Sequence, residues 1–456
     1  MIPAARGDLL TLDDPPRYDI TLNIDMRGLT LTGDEKIIYT NNEGVVLNEV
    51  CFRLFPNARE IFDGGGLEVI AVMVEGQEAR LRFELDDTVM RVILHEPLPP
   101  KGQIELDIDF VATIPQDPAD RANYGVYNYA EGVMTLANCY PILAVYDDEG
   151  WNLDPVPSLG DAVYSDTALY TVSITAPENA VIVASGSEIE AVFNDDGTKT
   201  VLYRSGLMRD FLIALSREFK VMRKRVGDTT VNSYYLLNYK LGGQKALQFA
   251  VNALQFYDQH FRTYPFSELD VVAAPIGIGG VEYPGLILID DRFYAGEDEG
   301  SFELVVAHEV AHQWWYSVVG NDIIDEPWLD EALVTYSSLL YMGSAHGERY
   351  ADGMRSYFQE RCQSLIEKGR DAVVNQPVSS FDGWEQYDTI VYLKGALFFD
   401  ALREEVGDEI YFEIMRRYYE EYKYGIATPD GLMRIAEEVS GRDLDGLYRR
   451  WILTAE

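Results

Sequence analysis

Apolar residues recur along this chain with two different periods. Over the first half they alternate. Tyr18, Ile20, Leu22, Ile24 and Met26 are separated by polar residues. So are Ile104, Leu106, Ile108 and Phe110, with Glu105, Asp107 and Asp109 between them. Tyr170, Val172 and Ile174 repeat the pattern. A period of two sends one set of side chains to one face of a sheet, so these segments read as half-buried strands. Asp195-Asp196-Gly197 supplies hairpin chemistry between two such runs. Turn signals recur up to about residue 215, a spacing that suggests an antiparallel sandwich or a curved sheet.

The second half changes period. Leu247, Val251, Leu254 and Tyr257 fall three or four apart, which is helical. Two short apolar runs, 269–274 and 286–289, read as neighbouring strands. Helices are then predicted over 302–319, 327–342, 351–368 and 391–406, with a last group ending near Ile452. Alternation fades near 220–226. The division drawn from this is a β-rich domain over residues 1–222 and a mainly α domain with a small sheet over 223–456.

Composition narrows the function classes. A chain of 456 residues is too long for one compact core, so two domains are expected. The formal net charge of −39 argues against a nucleic-acid binder, which needs a clustered basic face, and against docking on an anionic membrane. Most of that acidity reads as a solvated surface. No apolar stretch is long enough to cross a membrane. Cys51, Cys139 and Cys362 are far apart and odd in number, against a disulfide framework. The opening MIPAARGDLLTLDDPP has no apolar run of leader length. A cytoplasmic protein and an exported one with its leader removed both fit. The oligomeric state is left open.

The chemistry concentrates in Val305-Val306-Ala307-His308-Glu309-Val310-Ala311-His312-Gln313-Trp314. On a helix, residues i and i+4 share a face, so His308 and His312 can reach one metal with Glu309 beside its open side. The chain has only five histidines, which makes a chance match rare. The bland alternative is a helix with two satisfied histidines. Burying them with a glutamate and no partner would be costly, and a metal removes that cost. Catalytic zinc takes three protein ligands and keeps one position for water. Nineteen residues after His312 stands Glu331, in Glu326-Pro327-Trp328-Leu329-Asp330-Glu331-Ala332. Pro327 suits the first turn of a helix, and Trp328, Leu329, Ala332 and Leu333 point that helix inward. His308, His312 and Glu331 are therefore the expected ligands of one zinc ion per chain, with Glu309 as general base.

At these residues the chain resembles the aminopeptidase N (M1) family of zinc metallopeptidases, which are gluzincins. His308-Glu309-x-x-His312, eighteen residues and Glu331 match that family's ligand pattern; the family writes Asn where this chain has Asp330. A family segment G-x-M-E-N appears here as Gly279-Gly280-Val281-Glu282-Tyr283-Pro284-Gly285. Gly280 and Glu282 match, while Val281 and Tyr283 replace Met and Asn. The resemblance implies that Glu282 binds the substrate's α-amine, with Gly280 and Tyr283 beside the first residue. The family's tyrosine-x-K-G reads Tyr392-Leu393-Lys394-Gly395 and makes Tyr392 the oxyanion donor. Tyr387 takes the place of a second active-site tyrosine in one relative. Asn138, in Asn138-Cys139-Tyr140-Pro141, lies where the family often has a pocket-lining glutamine.

The resemblance covers nearly the whole chain. It implies an all-β, saddle-like N-terminal domain followed by a mainly α, thermolysin-like catalytic domain with a small β-sheet. Many members continue into a helical C-terminal domain, so the match is to a short form with a more open cleft, unless another subunit covers it. The expected function is a zinc aminopeptidase acting on peptides with a free N-terminal amine. The alternatives are an endopeptidase or other zinc hydrolase on the same scaffold, and a non-catalytic peptide-binding protein.

Overall fold

The computed structural model describes residues 12, 14–59, 65–116, 124–296 and 298–455. Most of the opening segment, on which the expectation about a leader rests, lies outside them. The chain packs as two compact units. One holds the residues up to Val156, Ser165–Gln248 and Pro265–Glu299; the other holds Pro157–Tyr164, Phe249–Tyr264 and the residues from Gly300 onward.

The first unit is built on the alternating segments. Its largest sheet contains β1 (Arg17–Asp25), β2 (Thr30–Thr40), β3 (Gly66–Val74), β4 (Gln77–Glu78), β5 (Gln103–Thr113), β6 (Ala168–Pro177), β7 (Ser187–Phe193) and β8 (Thr198–Met208). Their spatial order is β7-β8-β6-β1-β2-β5-β3-β4. Strict alternation of exposed and buried residues along β1 puts Tyr18, Ile20, Leu22 and Ile24 on the core face. The predicted hairpin forms between β7 and β8. One feature departs from an all-antiparallel expectation: β1 pairs with β6 in parallel, Ile20 opposite Val172. Two four-stranded sheets and a two-stranded one complete the β-rich part. Cys51, Cys139 and Cys362 are all unbridged.

A five-stranded sheet belongs to the same unit. It contains β9 (Lys220–Val226), β10 (Thr229–Tyr235), β11 (Glu268–Ala274), β12 (Gly280–Tyr283) and β13 (Leu286–Asp290), in the order β9-β10-β11-β13-β12. The predicted runs at 269–274 and 286–289 are its parallel neighbours β11 and β13. β12 is an edge strand, antiparallel to β13, and Gly285 turns the chain between them at φ +74°.

The second unit is helical. It takes the end of α1 (Lys240–His260), then α2 (Glu299–Ala311), α3 (Trp328–His346), α4 (Glu348–Glu367), a π-helical turn (Asp388–Lys394), α5 (Gly395–Val406), α6 (Asp408–Tyr422) and α7 (Pro429–Ser440). Gly347 and Gly407, at φ +90° and +83°, separate consecutive helices. Among the described residues no helix is long and apolar enough to cross a membrane.

Two helices differ from the sequence expectation. The one predicted to run to residue 319 stops at Ala311. Beyond it Gln313 and Trp314 donate three residues back, to the Val310 and Ala311 carbonyls. The cause is the anchoring of two fully buried indoles. Trp314 Nε1 donates to the Arg262 carbonyl at 2.7 Å, and Trp315 Nε1 to the Ser337 hydroxyl at 3.2 Å. The predicted helix over 391–406 instead begins inside the π-helical turn, which no hydrophobic period reveals.

Candidate metal centre

α2 presents its histidines on a buried wall. Val306, Ala307, Val310 and Ala311 are fully buried, and the Tyr257 hydroxyl donates to the Ala307 carbonyl at 3.1 Å. The His312 amide still donates to the His308 carbonyl at 3.3 Å, so both imidazoles occupy one face, a turn apart. α3 brings Glu331 to them from its first turn, with Trp328, Leu329, Ala332 and Leu333 buried around it.

The three expected ligand atoms meet. His308 Nε2 lies 3.2 Å from Glu331 Oε2 and 3.3 Å from His312 Nε2. His312 Nε2 lies 3.5 Å from the same carboxylate oxygen. Zinc bonds of about 2.0–2.1 Å at tetrahedral angles require ligand–ligand edges of about 3.3 Å. The proton inventory points the same way. His312 Nδ1 faces the Asp330 carboxylate at 2.7 Å and the Trp315 carbonyl at 3.1 Å. Both are acceptors, so Nδ1 carries the hydrogen and Nε2 a lone pair. A buried lone pair aimed at a second imidazole and a carboxylate calls for a cation. The donor set fits a divalent metal.

Electrostatics keep these groups in ligating form. Burial pushes the His308 imidazole below its ordinary range, against the opposing pull of Glu331. Burial pushes Glu331 up, but the adjoining His308 and His312 imidazoles outweigh it and hold the carboxyl well below the usual range. Glu309 follows His308 on α2 and is 5% exposed.

The π-helical turn supplies the tyrosine. The Tyr392 hydroxyl donates to Glu331 Oε1 at 2.5 Å, and its ring lies near-parallel to His308 at 6.1 Å between centroids. Burial, and then the Glu331 charge, push its phenol well up, so it is a proton-bearing donor. Tyr387 packs edge-on against Tyr392, centroids 5.9 Å apart. A side chain on Gly160, at φ +67°, would collide with the Tyr387 hydroxyl.

Residues 245–451 match the Peptidase family M1 domain. This chain carries an M1 peptidase domain. Aminopeptidase N of Haemonchus contortus is 24% identical over 461 residues, covering 93% of this chain and 45% of its own length. Aminopeptidase M1-C of Oryza sativa subsp. japonica is 30% identical over 464 residues, covering 96% and 49%. The chain thus spans about half the length of the curated relatives it matches. The crystal structure of an M1 zinc metallopeptidase from Deinococcus radiodurans has the same fold, with a TM-score of 0.72 at 20% identity over 96% of this chain and 93% of that one.

The M1 domain gathers His308, His312, Glu331, Tyr392 and Tyr387 in the helical unit. Gly280, Glu282 and Tyr283 share β12 of the first unit, where Glu282 is 7% and Tyr283 5% exposed. Asn138 is also in the first unit. It follows the strand Val133–Ala137 at φ +49°, fully buried, and its side-chain carboxamide has no hydrogen-bond partner among the described residues. Sequence reasoning did not find Asp330 as a partner of His312. The signal was its place beside Glu331, one position before the ligand. Gly160, against Tyr387, and Asp161, whose charge acts on Tyr392, come from a Pro- and Gly-containing loop with no chemical signature.

Proposed function

We propose that this chain is a zinc-dependent aminopeptidase, with one zinc ion held by His308, His312 and Glu331. The observation that carries the reading is the mutual spacing of those three ligand atoms, from 3.2 to 3.5 Å, with Glu309 adjacent on α2. Zinc, when bound there, supplies Lewis acidity that polarises the scissile carbonyl and acidifies water. The chain's own residues do the rest. The Glu309 carboxylate takes a proton from the attacking water as its oxygen bonds to the carbonyl carbon. It returns that proton to the leaving nitrogen as the C–N bond breaks. The Tyr392 hydroxyl donates to the carbonyl oxygen as negative charge develops on it. Asp330 fixes the tautomer of His312.

Peptides are the substrate class. Support comes from the Deinococcus radiodurans M1 zinc metallopeptidase, a Glu-to-Ala mutant of which has been solved bound to a Tyr-Ser-Ala substrate. The preference for a free amine rests on Glu282 and its sequence context, Gly280-Val281-Glu282-Tyr283. A carboxylate opposite an ammonium in a partly dry pocket makes a strong charge-assisted hydrogen bond.

The test is hydrolysis of one aminoacyl reporter with its amine free and with it acetylated, each with and without a zinc chelator. Chelator-sensitive cleavage of the free form alone is the expected result. Equal cleavage of both forms removes the amine anchor and leaves an endopeptidase. Zinc binding without turnover across a panel of first residues overturns the enzymatic reading.

A further inference from the structure

The π-helical turn that carries Tyr392 is held at both ends by charged side chains. At its start Arg361 of α4 reaches Asp388 at 3.3 Å and the Thr389 hydroxyl at 3.1 Å. At its end the Lys394 ammonium is nearly buried. It lies 3.0 Å from both carboxylate oxygens of Asp371, 2.9 Å from the Ala372 carbonyl and 3.2 Å from the Thr454 carbonyl. The Asp371 carboxylate is itself 1% exposed. The next residue, Gly395, has no side chain for a reason of space: a Cβ there would come within 2.5 Å of the Ala332 Cβ, one residue past Glu331.

These contacts have a consequence for Tyr392. A π-helical turn winds through fewer degrees per residue than an α-helical turn, so relaxing it to α would rotate Tyr392 by tens of degrees relative to α5. That would carry the hydroxyl away from Glu331. A buried ammonium tied to a carboxylate and two carbonyls resists such a change, because every acceptor would lose its partner in a dry environment. We propose that Lys394 is a positioning residue: through Asp371 and the two carbonyls it locks the π-helical turn, and so fixes the phase at which Tyr392 meets the reacting carbonyl. Lys394 itself touches no substrate. The inference rests on the aminopeptidase reading for its kinetic consequence, but not for its structural one.

The experiment is a double-mutant cycle on the zinc-loaded protein. Lys394→Met is expected to lower kcat by about 10–100-fold, the cost of a small misplacement of a catalytic group, with KM and zinc content unchanged. In a Tyr392→Phe background the same substitution should change kcat less than about twofold, because there is no hydroxyl left to position. Lys394→Arg should recover most of the loss. Equal effects of Lys394→Met with and without the Tyr392 hydroxyl overturn the proposal and leave Lys394 a structural ion pair. If Lys394→Met does not fold, Asp371→Asn enters the same cycle with the same expectations. A second readout needs no turnover: amide hydrogen exchange over residues 388–395 should accelerate at least about tenfold in Lys394→Met, with α3 unchanged. Unchanged protection there overturns the lock even if the parent proves inactive, whereas an inactive parent with accelerated exchange defeats only the aminopeptidase reading.

Discussion

Each unit buries a glutamate, and the two behave in opposite ways. Glu35 projects from β2 into the core of the first unit, on the face that Leu31 and Ile37 share, and is 2% exposed. Neither of its carboxylate oxygens has a hydrogen-bond partner among the described residues. Glu331, 4% exposed, faces two imidazoles and a phenol. Burial pushes both carboxyls upward. At Glu35 nothing opposes it, and the group is driven well above the usual range. At Glu331 the two adjoining imidazoles outweigh it and the group stays ionised. Burial alone therefore makes a neutral acid, whereas burial beside two imidazoles keeps an acid ionised.

Removing the proposed ligand breaks that contrast most severely. Glu331→Gln should lower zinc affinity by more than about a hundredfold, beyond the loss seen for outer-shell partners, and abolish turnover with it. Metal content after dialysis against a buffered chelator is the measurement. Full zinc retention would show that the carboxylate is not a ligand. Asp330→Asn acts one step further out. The amide can still accept from His312 Nδ1, but the negative charge behind the imidazole is gone. Zinc affinity should fall by about 10–100-fold with the fold intact, read by competition with a chromophoric chelator. An unchanged affinity would reduce the 2.7 Å contact to packing.

The contrast also marks what the chain discloses before folding. That His308, His312 and Glu331 meet was legible because residues i and i+4 share a helix face and such residue types are scarce among apolar neighbours. The alternation in β1, β5 and β6 was legible because a half-buried sheet repeats every two residues. Glu35 sits in that same alternation at an inward position, yet residue type alone marks it as outward. The π-helical turn leaves no period of its own, since one extra residue in a turn looks like ordinary helix. The early end of α2 depends on where Trp314 and Trp315 find partners, Arg262 and Ser337, which are distant in sequence. The parallel pairing of β1 with β6 is likewise a long-range choice that local turn signals do not record.

Glu35 offers a smaller effect with a definite sign. In the folded chain it binds its proton more tightly than in the unfolded chain. Its contribution to stability is full below the unfolded carboxyl's range and is lost as pH rises through the folded value. Glu35→Gln keeps the shape and never ionises. The variant should gain about 1–2 kcal/mol relative to the parent at pH 8, in the range of a buried group's desolvation cost, and show little difference at pH 4. Denaturant midpoints at the two pH values measure this. A gain that is equal at both would mean that Glu35 does not titrate differently on folding.

The smallest effect is expected at a third set of acids. Glu437, Asp443 and Asp445 bring carboxylate oxygens within 4.8 Å of one another, the same proximity that groups His308, His312 and Glu331. Here Glu437 is half-buried and the two aspartates are exposed. Glu437 accepts from the Leu444 amide at 2.8 Å, and Asp443 from the Asp445 amide at 3.1 Å. The Glu437 and Asp443 carboxylates are occupied with capping their own turn and the two aspartates face solvent, so a cation gains little by displacing water from them. Asp443→Asn should leave zinc content at one ion per chain and stability within about 0.5 kcal/mol. A fall from two ions to one in that variant would mean that proximity, without burial or oriented lone pairs, is enough to hold a metal in this protein.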